Sequence, residues 1–280
     1  MTTRLTALLP CKNEERNIAA CIAGARLVAD EVLVADSGSS DRTLEIVAEA
    51  GDCRVIEREF ISYSSFKNWA IPQATHDWVL IIDADERVTP ELAAEIREQL
   101  ASAPDDVEGF WIYRQNFVMG HAVNYCGWQR DKVFRLIRRD RCRYRDCRVH
   151  EEIDVKPGAA RKLKNRLLHY TYWSYDQFLA KQLHYTKLGA LDRWEAGRRA
   201  SFARTLFAPF LRFVQLYLLR GGIRDGWLGL QICFIQAFLV TFLKEARLWE
   251  MEYGLKQPVE WAGKKGGREK GMKEEERRAA

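Results

Sequence analysis

The chain opens on short runs of β-branched and aliphatic residues that alternate with stretches of helical periodicity. Residues 5–9 predict a strand and residues 14–29 a helix; residues 31–35 (EVLVA) predict a second strand, with its helix over 41–50. A weaker third strand lies near Val55 and Ile56, and residues 65–73 are helical. Residues 78–82 (WVLII) are apolar enough to be buried on both faces, and Thr89 is placed to cap a helix over 90–101. This βαβα order predicts an α/β domain, a parallel sheet with helices on both faces. Ligands of such sheets gather at the carboxyl ends of the strands. From 108 to 172 the pattern turns strand-like, with pieces at 109–114 and 132–137, and predicts an antiparallel extension. After Ser174 it is helical to about Tyr253, with breaks near Pro209 and at Gly221 and Gly222. Residues 256–280 read as a charged, disordered tail.

Composition changes this picture little. Of 280 residues, 47% are hydrophobic and 30% charged, enough to fill a core and too apolar for bulk disorder. The net charge of +5 is modest and decides nothing about nucleic acid, although no nucleic-acid partner is expected. Local charge says more: between 130 and 148 nine Arg and Lys stand against three Asp, a stretch suited to meeting an anion, or else a solvated basic loop. Seven cysteines and the lack of an N-terminal secretory pattern lead us to expect a reduced, cytosolic setting. Cys126, Cys142, Cys147 and His150 have poor spacing for zinc, so ordinary thiols are expected.

The sharpest local chemistry is Asp83-Ala84-Asp85-Glu86, directly after the apolar run of the fourth strand. On an extended chain Asp83 and Asp85 share a side and can reach one Mg²⁺ or Mn²⁺ through hard oxygen ligands. The bland alternative is an acidic turn favoured by the dipole of the following helix. A phosphatase motif with a nucleophilic Asp is weakened by Arg87, which stands where Thr or Val should be. Two further polar loops, Pro10-Cys11-Lys12-Asn13-Glu14-Glu15 and Asp36-Ser37-Gly38-Ser39-Ser40-Asp41, follow the first two strands. Each alone is ordinary turn chemistry. Three on one sheet edge outline a nucleotide pocket.

Together, LLPCKNEERNI (8–18), VADSGSSDRT (34–43), FKNWAI (66–71), IIDADE (81–86) and RVHEEI (148–153) resemble the family-2 glycosyltransferases of the GT-A fold, over roughly residues 4–172. LLRGGIRDGWLGL (218–230) further resembles the lipopolysaccharide core glucosyltransferases that add β-glucose to an inner-core heptose. The resemblance implies a GT-A type nucleotide-sugar-binding domain over 1–172; the helical region over 173–255 is expected to associate with a membrane, and the charged tail fills 256–280. It implies that Pro10, Asn13, Glu14 and Asp36 hold the uridine of a UDP-sugar, with Lys67 near the donor. Asp83-Ala84-Asp85 becomes the DxD motif, with Asp83 on the ribose or metal and Asp85 on the Mg²⁺ or Mn²⁺ bridging the donor diphosphate. Cys11 replaces the aromatic residue usual in the family, which removes a base-stacking group.

The implied chemistry is an inverting single displacement, which needs a base on the acceptor hydroxyl and charge stabilisation on the departing diphosphate. Glu151 matches the base, Glu152 is the adjacent alternative, and either could instead be a surface strand residue. His169 is a candidate third metal ligand, with His150 behind it. A lone His flanked by apolar residues is equally a core residue. The expected activity is transfer of a sugar, glucose by the resemblance, to a lipid-linked or lipopolysaccharide-core acceptor. A polyprenyl-phosphate or capsule glycosyltransferase, and a catalytically idle nucleotide-sugar-binding or membrane scaffold, are the alternatives.

Arg204, Arg212 and Arg220 recur every eighth residue, while Phe207, Phe210, Val214, Tyr217 and Leu218 fall largely opposite, an amphipathic helix with a basic face. Residues 227–243 lack charge, but these seventeen residues fall short of the roughly 20 that span a bilayer. A monotopic arrangement on the cytoplasmic face of the inner membrane is therefore expected. Packing on the catalytic domain or on a second copy in a homodimer is the alternative.

Overall fold

The computed structural model describes residues 3–145 and 153–254. Two compact units divide the chain: residues 1–180 with 216–232, and residues 181–215 with the remainder.

The first unit begins with β1 (Leu5–Cys11), α1 (Ile18–Ala25), β2 (Glu31–Asp36), α2 (Thr43–Ala50) and β3 (Cys53–Glu57). α3 (Tyr63–Ala70), β4 (Trp78–Ile81), β5 (Glu86–Arg87) and α4 (Pro90–Ala101) follow. β6 (Gly109–Val118), β7 (His121–Val123), β8 (Lys132–Arg138), β9 (Arg143–Tyr144), β10 (Ile153–Asp154) and β11 (Ala160–Tyr172) then complete the strands. The main sheet runs β3-β2-β1-β4-β8-β6-β11-β5, with β7 on β6, while β9 and β10 pair separately. β1 is parallel to β2 and β4, and β2 to β3. The expected antiparallel extension is present where β8 pairs with β4 and β6, but β6 and β11 run parallel.

Side chains of β1 alternate across the sheet. Leu5, Ala7, Leu9 and Cys11 join the core under α1 and α4, whereas Leu8 joins Phe66, Ala70 and Ile71 on the α3 side. Both faces are thus covered, as parallel strands require. Thr89 caps α4 as its sequence predicts, its hydroxyl accepting from the Leu92 N–H at 3.2 Å with Pro90 at the first turn.

Two differences from the sequence pattern matter for the site. The helix expected over 14–29 is shorter: residues 14–17 form a turn, with the Asn17 and Ile18 N–H both donating to the Glu14 carbonyl at 2.8 and 2.9 Å. The preceding Asn13 has φ +54°, a left-handed backbone that Asn tolerates. And Asp83 to Asp85 do not continue the strand, because the Glu86 N–H donates to the Asp83 carbonyl at 2.8 Å and closes a turn. α1 lies hard against the chain leaving that turn, since a Cβ on Gly24 would stand 3.0 Å from Val88 N.

The first unit is completed by the start of α5 (Tyr175–Glu195) and by residues 216–232. There the Asp225 carboxylate accepts from the backbone N–H of Asn124 at 3.1 Å and of Tyr125 at 2.8 Å, and the Cys126 thiol lies 3.3 Å away.

The second unit holds the rest of α5, α6 (Phe202–Phe213) and, beyond α7 (Gly226–Phe234), a π-helical stretch over Ile235–Val240 and α8 (Thr241–Tyr253). Glu245, buried, accepts from Arg193 at 2.9 Å and Arg204 at 3.3 Å. Phe238 packs against Phe210 and Phe213 at ring separations of 5.1 and 5.7 Å. α6 nevertheless leaves Phe202, Leu206, Phe207, Phe210 and Leu211 exposed. Residues 227–243 lie within one helical run, Gly222–Tyr253, so the seventeen-residue limit falls away. That run and Phe202–Leu219 are both long and apolar enough to cross a membrane by length and composition.

Candidate active site

The carboxyl edge of β1, β2 and β4 brings the three polar loops together. The β1–β2 register sets Cys11 opposite Asp36, and the buried Asp36 folds its own loop, accepting from the N–H of Gly38 and Ser39 at 2.8 Å each. Asn13 joins the two loops: its N–H donates to Ser39 Oγ at 2.9 Å and its Oδ1 accepts from the Ser40 N–H at 2.8 Å. Pro10 sits within β1 at this edge. Glu14 receives the Asn17 amide at 2.8 Å, and Asn17 in turn receives Arg87 at 3.3 Å. Burial pushes the Glu14 carboxyl up, against the Asn17 hydrogen bond, and the charges of Asp85 and Asp83 add to the rise. Burial also raises the Cys11 thiol, helped by Asp36, so Cys11 is a neutral packing group.

The two aspartates of the acidic turn diverge. Asp83 faces α3 and β8: Lys67 Nζ lies 3.2 Å from its Oδ1, and the Arg135 guanidinium ion-pairs with its Oδ2. Lys67 and Arg135 are themselves buried, at 4% and 5% exposure, so their charges act in a medium that screens weakly. Burial opposes ionisation of Asp83, but Arg135 and Lys67 prevail and hold its carboxyl well below the usual range. Tyr144 lies beneath both cations, its hydroxyl 3.2 Å from Arg135 Nη1 and its ring 5.4 Å from Lys67 Nζ.

Asp85 faces β11. The antiparallel register of β5 on β11 sets His169 opposite Glu86, and the Tyr170 N–H donates to the Asp85 carbonyl at 2.8 Å. His169 Nε2 thereby stands 3.4 Å from Asp85 Oδ2. Glu86 is fully buried; it accepts from the Asp83 N–H at 3.0 Å and pairs with Arg114 at 3.3 Å. Arg114 also pairs with Asp131 at 2.8 Å, and Asp131 receives the Asn116 amide at 2.8 Å. Burial favours neutral Asp131, yet Arg114 and Asn116 outweigh it and keep the carboxylate ionised.

Among the described residues no three His, Cys, Asp or Glu are gathered tightly enough to hold a metal ion as they stand. Asp85 and His169 are together, and Asp83 lies one turn residue away on its cationic partners. Glu151, Glu152, His150 and Cys147 lie outside the described residues. The sequence pattern did not single out Arg114, Asn116, Asp131 or Tyr144. Arg135 and Asn116 left the clearest signals, a charge inside the apolar run VFRLIR and an amide inside a strand of aromatic residues.

Residues 6–150 match Glycosyl transferase family 2. The lipopolysaccharide core biosynthesis glycosyltransferase LpsC of Rhizobium meliloti (strain 1021) is 30% identical over 88% of this chain and 92% of its own. An uncharacterized glycosyltransferase of Rickettsia bellii (strain RML369-C) is 27% identical over 90% of this chain and 88% of its own. Among solved structures, glucosyl-3-phosphoglycerate synthase from Mycobacterium tuberculosis aligns at TM-score 0.35 and 23% identity, over 41% of this chain and 44% of that one. The parallel β3-β2-β1-β4 half with its mixed extension is the GT-A arrangement expected from the resemblance, and it carries the acidic turn at the carboxyl end of β4. By the family match and the length of the likeness to LpsC, this chain belongs to glycosyltransferase family 2.

Proposed function

We propose that the protein is an inverting, divalent-metal-dependent hexosyltransferase that takes glucose from UDP-glucose and places it on a lipid-linked, lipopolysaccharide-core acceptor at the cytoplasmic face of the inner membrane. The observation that carries this reading is the divided acidic turn: Asp83 on two buried cations, Asp85 on His169.

The donor set fits a divalent ion. The Asp85 carboxylate and the His169 ring, 3.4 Å apart and one turn residue from the Asp83 carboxylate, are the oxygen and imidazole donors that such an ion takes. Asp85 and His169 would hold the ion, with Asp83 as its further carboxylate, and the ion would neutralise charge on the departing diphosphate. Lys67 and Arg135 then have a double use: they keep Asp83 ionised, and they present positive charge beside the diphosphate. Pro10, Asn13, Glu14 and Asp36 shape the edge that receives the uridine, and Lys67 sits behind it. Glu151 takes the proton of the attacking acceptor hydroxyl.

Placement on a bilayer is supported by the second unit. Its exposed Phe202, Phe207, Phe210 and Leu211 form an apolar face on α6, and Arg198, Arg199 and Arg212 supply charge for an anionic leaflet. The likeness to a lipopolysaccharide core enzyme supports an acceptor that is itself anchored there.

A thermal-shift panel of UDP-, GDP- and dTDP-sugars with and without Mn²⁺ tests the donor reading, because a ligand of the folded state raises its stability by mass action. A Mn²⁺-dependent shift with UDP-glucose, lost in Asp85→Ala, is expected. No shift with any nucleotide sugar in the folded protein sinks the reading and leaves only an idle membrane scaffold.

A further inference from the structure

Asn116 and His169 are both more than nine-tenths buried on neighbouring strands, β6 and β11, whose register sets them side by side. His169 Nδ1 lies 2.6 Å from Asn116 Oδ1. Which atom carries the proton follows from the next partner along. Asn116 Nδ2 is 2.8 Å from Asp131 Oδ2, and an ionised carboxylate only accepts. The Asn116 amide must therefore turn its NH₂ to Asp131 and its oxygen to His169. Oxygen accepts, so the ring proton is on Nδ1. Thr171 strengthens the arrangement by donating its hydroxyl to the same oxygen at 3.0 Å. Arg114 holds Asp131 from the other side, Nε donating to Oδ2 at 3.0 Å and Nη2 to Oδ1 at 2.8 Å.

A neutral ring with its proton on Nδ1 has a bare lone pair on Nε2. That lone pair faces Asp85 Oδ2 across 3.4 Å. Two acceptors confronting each other repel, and a cation that accepts both lone pairs relieves the repulsion. The opposite tautomer would let Nε2–H donate to Asp85 and close the pair as a plain hydrogen bond.

We infer that Asn116, anchored by Asp131, is a positioning residue that fixes His169 in the Nδ1–H tautomer and so turns the Nε2 lone pair toward Asp85 as a ligand for a divalent cation. This deepens the proposed function, on whose reading of Asp85 and His169 the cation rests. The tautomer itself does not depend on that reading.

The test uses the full chain without metal at pH 8. Long-range ¹H–¹⁵N NMR of the imidazole rings, with His169→Gln to assign the signal, reads the tautomer directly. The Nδ1–H form is expected in the wild type, and in Asn116→Leu a shift to Nε2–H. Mn²⁺ binding in the presence of UDP, followed by EPR, should weaken about 10–100-fold in that variant. A proton on Nε2 of the wild type, in the neutral or the cationic ring, overturns the inference. So does an Asn116→Leu protein whose tautomer and Mn²⁺ affinity are those of the wild type. The wild-type spectrum decides even where the variant does not fold. A wild type with the Nδ1–H tautomer that binds no Mn²⁺ with UDP upholds the role of Asn116 and sinks instead the metal-dependent reading.

Discussion

Lys67 Nζ, buried on α3, stands 3.2 Å from Asp83 Oδ1 at the end of β4, so the first carboxylate of the acidic turn is tethered to a neighbouring helix before any ligand arrives. Hydrogen bonds to charged groups are worth about 1.5–3 kcal/mol, more than a surface pair of the same length. Lys67→Met should therefore lower donor affinity roughly 10–100-fold and let the Asp83 carboxyl rise toward its usual range, since Arg135 and Arg114 then act without it. Isothermal titration with UDP and Mn²⁺ checks this; unchanged affinity would mean that Lys67 serves only the packing of α3.

Glu31 ties the start of β2 to its neighbours. Its carboxylate accepts from Thr6 Oγ1 at 2.6 Å, from the Thr75 N–H and Oγ1 at 2.9 and 2.8 Å, and from Arg54 Nε at 2.9 Å. Burial opposes ionisation, but those bonds hold the carboxyl at about 2 against the usual 4.5. A depressed carboxyl stabilises the fold fully above its unfolded value and loses that contribution as pH falls through the folded one. The shift corresponds to about 3 kcal/mol at most. Glu31→Gln should cost about 1–3 kcal/mol in urea unfolding at pH 7, with the difference shrinking between pH 4.5 and 2. A difference independent of pH would assign the loss to packing.

The exposed face of α6 gives a separable test. Phe207→Glu with Leu211→Glu places two charges where apolar side chains are 60% and 70% exposed, so neither disturbs a core. Flotation with vesicles containing anionic phospholipid should fall at least roughly tenfold, each buried apolar side chain being worth about 1.5–3 kcal/mol. Metal-dependent binding of UDP should stay as it was. Equal flotation of variant and wild type would remove this face from membrane contact.

How much of this was legible in the sequence depends on the range of the interaction. Strands 5–9, 31–35 and 78–82 are marked by apolar runs that can only be buried, and Thr89 with Pro90 is a local cap signal, so both survive translation into structure. The acidic turn stood out in the sequence, but its geometry was misread. Nothing within Asp83-Ala84-Asp85 says that Glu86 will fold back onto the Asp83 N–H, because that bond is stabilised by the distant Arg114. The resemblance named His169 but neither Asn116 nor Asp131, since their hydrogen-bonded chain to His169 exists only once β6 lies beside β11. The parallel pairing of those two strands is likewise a product of register between segments some fifty residues apart, which periodicity does not encode.

Asp225 offers a fourth measurement. Its carboxylate holds two backbone N–H groups of residues 124 and 125, and a Cβ on Gly229 would overlap the Gly222 carbonyl, so this turn is closely packed. Asp225→Ala should cost about 1–3 kcal/mol in thermal or urea unfolding, and Asp225→Asn less, because one amide oxygen still accepts. No change in either variant would show that water replaces the carboxylate at no cost.

The same turn sets an order of events during synthesis. Residues 124–126 leave the ribosome early, but the carboxylate that fastens them lies at 225, and the chain must first emit α6 with its outward-facing phenylalanines. The apolar helix is therefore out, and able to meet a bilayer or a chaperone, before Asp225 can fasten residues 124 and 125. A nascent chain arrested ahead of residue 225 would expose that helix while residues 124 and 125 still lack the carboxylate that holds them.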